Sequence, residues 1–198
     1  MPERALDEPS RQPHLLPYRR ALLDANPRAM VVLDKVADAA GWNKPLEPRS
    51  GRGVSLHQNF GTYAALVVEV AVALSGEISL KKIVAAVDCG IQINPDIIRA
   101  QIEGGVLFGL SAALFNGITF NKGRVQQGNF NDYRQLRINE TPPIEVHLLY
   151  SGEKPGGLGE VGTVSAAPAL GNAIFAATGV RVRRLPIDRR LLSKRQSS

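Results

Sequence analysis

The sequence predicts an α+β fold, and three observations carry that prediction. Two Asn-Pro pairs, Asn26-Pro27 and Asn94-Pro95, each open a run without helix breakers, which is an N-cap followed by proline at the first helical position. Between them the run Tyr63–Leu74 is apolar almost throughout, as in a strand buried on both faces. A shorter strand-like run, Ile144–Tyr150, leads into a glycine-rich loop and a final helical stretch that Gly179 stops.

Taken in order, residues 1–16 are polar and carry Pro2, Pro9 and Pro13, which predicts a loose arm. Pro17 suits the start of a short helix through Ala25. From Pro27, the residues Met30, Leu33, Val36, Ala37 and Ala40 recur at helical spacing up to Gly41, and Trp42 packs just beyond. Residues 43–52, with Pro45, Pro48 and Gly51, read as a long loop. Residues 53–60 and 63–74 read as strands around a Gly61-Thr62 turn. Ser75-Gly76 then turns the chain into a return strand over 78–87. The helix from Pro95 extends to about Phe115, with Asp96 at the positive end of its dipole. Residues 118–120 and 124–126 flank Asn121-Lys122-Gly123 as a small hairpin. Residues 128–143 are an irregular connection. The last helix takes Thr163 or Ser165 as its cap and tolerates Pro168 in its first turn.

Composition bounds the function. With 44% hydrophobic residues in 198, the chain forms the core of one domain or part of one. The net charge of +6 concentrates in Arg181, Arg183, Arg184, Arg189, Arg190, Lys194 and Arg195. No aromatic residues interleave with it, so a solvated basic tail over 188–198 is expected rather than a nucleic-acid face. A single cysteine, Cys89, leaves no disulfide framework or cysteine-rich metal site. His14, His57 and His147 share no ligand spacing, so no protein-ligated metal is expected. No signal peptide is read at the start, and no apolar run of membrane-spanning length is read in the chain.

Two places invite chemistry. The loop Pro155-Gly156-Gly157-Leu158-Gly159-Glu160-Val161-Gly162 holds the single acidic residue between Pro155 and Leu185. It reads either as a flexible connector with a solvated Glu, or as a backbone cradle presenting one carboxylate as a general base. On the helix from Pro95, Gln101, Gly104, Gly105 and Phe108 share a face. Two interior glycines cost about 1 kcal/mol each relative to alanine. Either a neighbouring element packs closely there, or a ligand approaches with Gln101 at its edge.

Five segments in series then resemble one family: residues 51–63 (GRGVSLHQNFGTY), 86–90 (AVDCG), Asn94-Pro95-Asp96 with 100–105 (AQIEGG), 128–133 (GNFNDY) and 155–160 (PGGLGE). They resemble the C-terminal part of the molybdopterin-binding large subunit of the xanthine dehydrogenase/aldehyde oxidase family. The branch is that of bacterial isoquinoline 1-oxidoreductase beta subunits and related aldehyde dehydrogenases. The resemblance covers residues 17–187, which become a partial molybdopterin-binding domain with a mixed sheet and packed helices. It implies a molybdenum–molybdopterin cofactor, plain or in its cytosine dinucleotide form, with the metal held by the pterin. It implies oxidation of an aldehyde or N-heterocycle. In that family a Glu takes the proton from a metal-bound hydroxyl, which attacks the substrate carbon as hydride passes to the metal centre. Glu160 matches that base, Gln101 matches a pterin-contacting Gln, and Gly104, Gly105 and Gly159 allow close passage of the cofactor. Val161 stands where the family often has Pro.

The resemblance also implies partners. Iron–sulfur clusters belong to a small subunit, a cytochrome c subunit is a further acceptor in this branch, and the upstream cofactor-cradling segments of the large subunit are not in this chain. Two functions stay open at this point. The chain is the C-terminal fragment or split part of a molybdenum hydroxylase, or it is an inactive remnant or interaction module that does not hold the cofactor alone. Localisation is open: an export address could come from a partner.

Overall fold

The computed structural model describes residues 12–193. The expectations for residues 1–11 and 194–198 lie outside them. In chain order the elements are α1 (Gln12–Ala21), α2 (Pro27–Ala40), β1 (Ser50–Asn59), β2 (Thr62–Val72), β3 (Ile78–Asp88), α3 (Pro95–Leu114), β4 (Phe120–Asn121), β5 (Arg124–Val125), β6 (Ile144–Leu149) and α4 (Val161–Thr178). The main sheet runs β1-β2-β3-β6. β1 and β2 pair antiparallel from Ser50↔Ala71 to Asn59↔Thr62. β2 and β3 pair antiparallel with a bulge at Glu69/Val70. β6 joins β3 in parallel, Ile83 opposite Ile144, so α3 serves as the crossover that a parallel pair requires. The sheet is therefore mixed.

Alternation along the strands explains the three layers. Leu66, Val68, Val70, Ile83, Ala85 and Val87 point to one face, where α3 and α4 cover them with Ile102, Val106, Leu110, Leu170 and Ile174. Ala65, Val67, Val84 and Ala86 point to the other, against Val32, Leu33 and Val36 of α2. β2 is buried on both faces as its sequence predicts. The helix starts also follow the sequence. Asn26 accepts from the Ala29 N–H at 3.2 Å, and Asn94 accepts from the Asp96 and Ile97 N–H groups, both at 3.1 Å. Gly41 ends α2 in the left-handed region, φ 65°.

Five expectations are corrected. α1 begins at Gln12 and carries Pro17 inside it. The β1–β2 turn is Phe60-Gly61, both with positive φ (48° and 79°), because a two-residue hairpin loop matching the sheet twist needs two such residues. β1 begins at Ser50, inside the expected loop. α4 starts at Val161, before Thr163 and Ser165, and its N-cap residue Glu160 makes no capping bond. Packing decides that start: Val161 and Gly162 are buried against α3. The basic segment after residue 187 is not wholly solvated, since Leu192 is buried in the core and its carbonyl accepts from Arg49 Nη2 at 2.9 Å.

Contrary to the expectation that no apolar run reaches membrane-spanning length, α3 and α4 are each long and apolar enough to cross a membrane by length and composition alone. Here both lie on the sheet as core helices, each with part of its surface left open.

α4 crosses β1 at backbone distance. A Cβ at Gly53 would sit 2.1 Å from the Ala169 carbonyl oxygen, and one at Gly51 would sit 2.4 Å from the Ala173 oxygen. Gly171, on the far side of α4, would meet nothing within 4 Å. Gly53→Ala therefore lowers stability by about 1–3 kcal/mol or more through overpacking, whereas Gly171→Ala gains up to about 1 kcal/mol of helix propensity. Urea unfolding of the two variants measures this, and equal midpoints would contradict the packing.

Candidate functional site

The glycine loop is held before it is free. β3 ends at Asp88, which is 4% exposed. Its carboxylate accepts from Arg28 Nε at 2.7 Å, the Gly90 N–H at 2.9 Å and Ser151 Oγ at 2.7 Å. One buried acid thus ties α2, the turn after β3 and the segment between β6 and the loop. Burial pushes the Asp88 carboxyl up, but these three donors and the Arg28 charge outweigh it and hold the group below the ordinary aspartate value. Arg28 also stacks over the Tyr63 ring, 4.7 Å from its centroid.

From there each loop residue from Gly156 to Glu160 has its own contact. The Ile91 N–H donates to the Glu153 carbonyl at 2.9 Å and the Gly156 N–H donates to the Cys89 carbonyl at 2.8 Å. The Gly157 N–H donates to the Phe60 carbonyl at 2.9 Å, and Thr62 Oγ1 donates to the Gly157 carbonyl at 2.8 Å. Leu158 packs against the main core. Gln101 Nε2 donates to the Gly159 carbonyl at 2.9 Å. The Glu160 carbonyl accepts from the Val164 N–H at 3.1 Å and so opens α4. The loop is an anchored element, not a slack connector.

The glycines divide into two kinds. A Cβ at Gly156 would lie 2.4 Å from Thr62 Oγ1, and one at Gly162 would lie 2.6 Å from the Ile102 carbonyl oxygen. These, with Gly157 against Phe60, serve internal packing. A Cβ at Gly105 would come within 3.2 Å of Gly162 Cα, so its bareness also serves the α3–α4 contact, with Thr163 Oγ1 donating to the Gly105 carbonyl at 3.2 Å. Gly104 and Gly159, by contrast, would meet nothing within 4 Å. They flank Gln101 and Glu160, and all four are exposed. The structure thus brings Gln101, Gly159 and Glu160 together, leaves Gly104 open beside them, and places Gly105 under α4.

Among the described residues, the Glu160 carboxylate has no hydrogen bond or ion pair and Gln101 Oε1 has no donor. No group of three or more His, Cys, Asp or Glu residues comes together among them. What the face offers is amide and carboxylate oxygen beside bare backbone. Behind it, Ser165 Oγ lies 3.0 Å from His57 Nδ1 and 3.1 Å from the Val161 carbonyl. Burial lowers the His57 pKa, and its Nε2 is buried without a partner. The sequence offers Thr62 only as a turn residue and Ser165 only as a helix cap, and it assigns Asp88 and His57 no part in holding the loop. Thr62 and Asp88 lie inside quoted segments, but nothing local in sequence shows which loop they hold.

Acid stability follows in two steps. His57 is held neutral, so its contribution is complete above the ordinary value of 6.5 and declines as pH falls below it. Asp88, with its pKa depressed, contributes fully above the ordinary 3.8, and that part is lost as pH falls through the lower folded value. Asp88→Ala should cost about 3–5 kcal/mol at neutral pH, as when a buried ion pair loses one partner, and should flatten the acid limb below 3.8. Thermal midpoints between pH 2 and 8 read both effects; an unchanged acid limb in the variant would refute the role of Asp88.

Comparison with known proteins gives the family. Residues 25–142 match the molybdopterin cofactor-binding domain family. The chain is 35% identical over 185 residues to isoquinoline 1-oxidoreductase subunit beta of Brevundimonas diminuta, covering 91% of this chain and 24% of that protein. It is 38% identical over 166 residues to a membrane-bound aldehyde dehydrogenase of Gluconacetobacter polyoxogenes, covering 81% and 22%. The aldehyde oxidoreductase structure from Desulfovibrio desulfuricans superposes with a TM-score of 0.58 at 27% identity, over 66% of this chain and 15% of that one. The family match takes in α3 with Gln101 and Gly104, and the 91% alignment necessarily extends over the Glu160 loop as well. The chain spans about a quarter or less of the length of these relatives. It belongs to the molybdopterin cofactor-binding domain family, in the large-subunit part of the xanthine dehydrogenase/aldehyde oxidase enzymes.

Proposed function

We propose that this chain forms one wall of a molybdenum–pterin site and supplies its base, Glu160. The observation that carries this is an unpaired carboxylate on a rigidly anchored loop, beside two glycines whose missing side chains face nothing in the chain. The residues fit such a group. Gly104 and Gly159 give room for a planar ring system to pass at backbone distance. Gln101 has its Nε2 committed to the Gly159 carbonyl, which orients Oε1 outward to accept from a ring N–H. The pterin itself, plain or as the cytosine dinucleotide, holds the metal, and the bound group supplies two-electron redox chemistry. Gly105 acts from beneath, letting α4 approach α3 and so placing Glu160.

The proposed role of Glu160 is proton acceptance at a carboxylate oxygen as the substrate carbon is oxidised. That role requires an ionised carboxylate poised near working pH in a site closed to water. The substrate class is an aldehyde or N-heterocycle, in line with the names of the relatives. The remaining cofactor contacts come from a second polypeptide corresponding to the rest of the large subunit. Electrons leave through an iron–sulfur small subunit, with a cytochrome c subunit beyond it. The exposure of Glu160 favours a competing reading in which the chain folds but binds no cofactor by itself, and one experiment separates the two.

The experiment is co-expression with a polypeptide carrying the rest of the large subunit, followed by molybdenum and pterin analysis. Wild type retains the cofactor. Glu160→Gln retains it too but loses turnover by about 10²–10⁴-fold. Gly104→Trp loses the pterin while the thermal midpoint stays near wild type, since Gly104 is exposed and a Cβ there meets no atom within 4 Å. Absence of pterin from wild type under these conditions favours the inactive module. Turnover surviving in Glu160→Gln would remove Glu160 from the mechanism.

A further inference from the structure

The outer face of α4 is uncharged and largely uncovered. Helix α4 has no ionisable residue from Val161 to Thr178. Its inner face is spent on β1, β2 and α3. Its outer face carries Pro168, Gly171 and Phe175, which line a groove of about 410 Å³ closed on the other side by the extended segment Arg181–Leu185. The floor at Gly171 is bare: a Cβ there would meet no atom within 4 Å. One rim is cationic. Arg181 lies over the Phe175 ring at 3.9 Å, while Arg183 and Arg184 are exposed and have no acidic partner among the described residues. From Val161 to Ile187 the chain contains no acidic residue.

Resting on the reading that this chain works with a second polypeptide, we propose that this groove is where that polypeptide docks. The docking segment would seat an apolar side chain over Gly171 and carry carboxylates opposite Arg183 and Arg184. Three features select this occupant. An uncharged helix face with a bare glycine accepts a protruding side chain as knobs enter holes, and the arginine rim then fixes register and partner by charge. A second copy paired about a two-fold axis would offer the same patch in return, and with no acidic residue from Val161 to Ile187 it has no carboxylate to meet the arginine rim. A bilayer surface has no fixed protrusion to fill a concave groove, which would stay as void.

The test uses the full chain co-expressed with the part of Brevundimonas diminuta isoquinoline 1-oxidoreductase subunit beta outside the matched quarter. Two variants are compared with wild type: Gly171→Trp, which fills the groove, and Arg183→Glu combined with Arg184→Glu, which reverses its rim. A Cβ at Gly171 meets no atom within 4 Å and Arg183 and Arg184 are exposed, and circular dichroism and thermal midpoints verify folding. Wild type captures the polypeptide; each variant lowers recovery at least tenfold, and capture by wild type weakens as salt rises. The proposal is overturned by undiminished capture in both variants, or by no capture in wild type. Variant-sensitive dimerisation of the chain alone, or variant-sensitive binding to phosphatidylglycerol vesicles, would also overturn it by naming another occupant. Pterin content of the same samples keeps the two readings apart. Polypeptide bound without pterin sinks the cofactor reading and leaves the docking surface standing. Pterin bound with capture unchanged in the variants does the reverse.

Discussion

The backbone-to-backbone contact of α4 with its neighbours is the constraint on which the rest depends. Four glycines on three elements make it: Gly51 and Gly53 on β1, Gly109 on α3 and Gly162 on α4 itself. A methyl group at any of them would fall within 2.6 Å of a backbone oxygen, closer than nonbonded atoms approach. Polar contacts then fix the helix along its length. Ser55 Oγ donates to the Ser165 carbonyl at 2.8 Å, and Asn172 Nδ2 donates to the Val54 carbonyl at 3.0 Å. With α4 held in this way its first residue has one position, and Glu160 immediately precedes it. The carboxylate is placed by packing that lies elsewhere in the helix.

That dependence explains a division of labour in the loop. Its protein side is saturated: the Cys89, Phe60 and Gly157 carbonyls and the Gln101 amide all have partners within the loop's immediate surroundings. Its outer side is bare at Gly159 and carries one free carboxylate. A slack loop would lose orientational entropy on every binding event, whereas this one has already met that cost through hydrogen bonds made in folding. The two open glycines, Gly104 and Gly159, come from different elements, and one Gln side chain joins those elements. Glycines that look alike in sequence therefore differ in the structure, some admitting a neighbour inside the chain and others facing open space.

Much of this was legible in the sequence, for identifiable reasons. Asn-Pro caps are local chemistry, so α2 and α3 begin where they were expected. The apolar stretch 64–74 announces burial on both faces because no alternation survives there. What failed was non-local. Thr163 and Ser165 are good caps, yet burial of Val161 and Gly162 draws the helix start earlier, and Ser165 turns to His57 instead. Of the paired glycines in α3, sequence could not say that Gly105 meets α4 while Gly104 meets nothing, since a rotation of 100° about the helix separates them. The role of Asp88 was hidden because its three donors come from residues 28, 90 and 151.

The role proposed for Glu160 calls for a site closed to water, and in this chain the residue faces solvent. Desolvation has to be supplied from outside, and α4 indicates from where. At 1.5 Å per residue, Gly171 lies about 16 Å along the helix from Glu160. A segment of roughly five extended residues covers that span. A polypeptide seated in the groove over Gly171 is therefore within reach of the glycine loop along the same helix, and the face it would cross, by way of Val164 and Pro168, is uncharged. Filling the groove and excluding water from Glu160 become two consequences of one docking event. If Glu160 is the base proposed above, its carboxylate acquires a dry environment only when the second polypeptide is in place, and the proposed oxidation is coupled to assembly of the site.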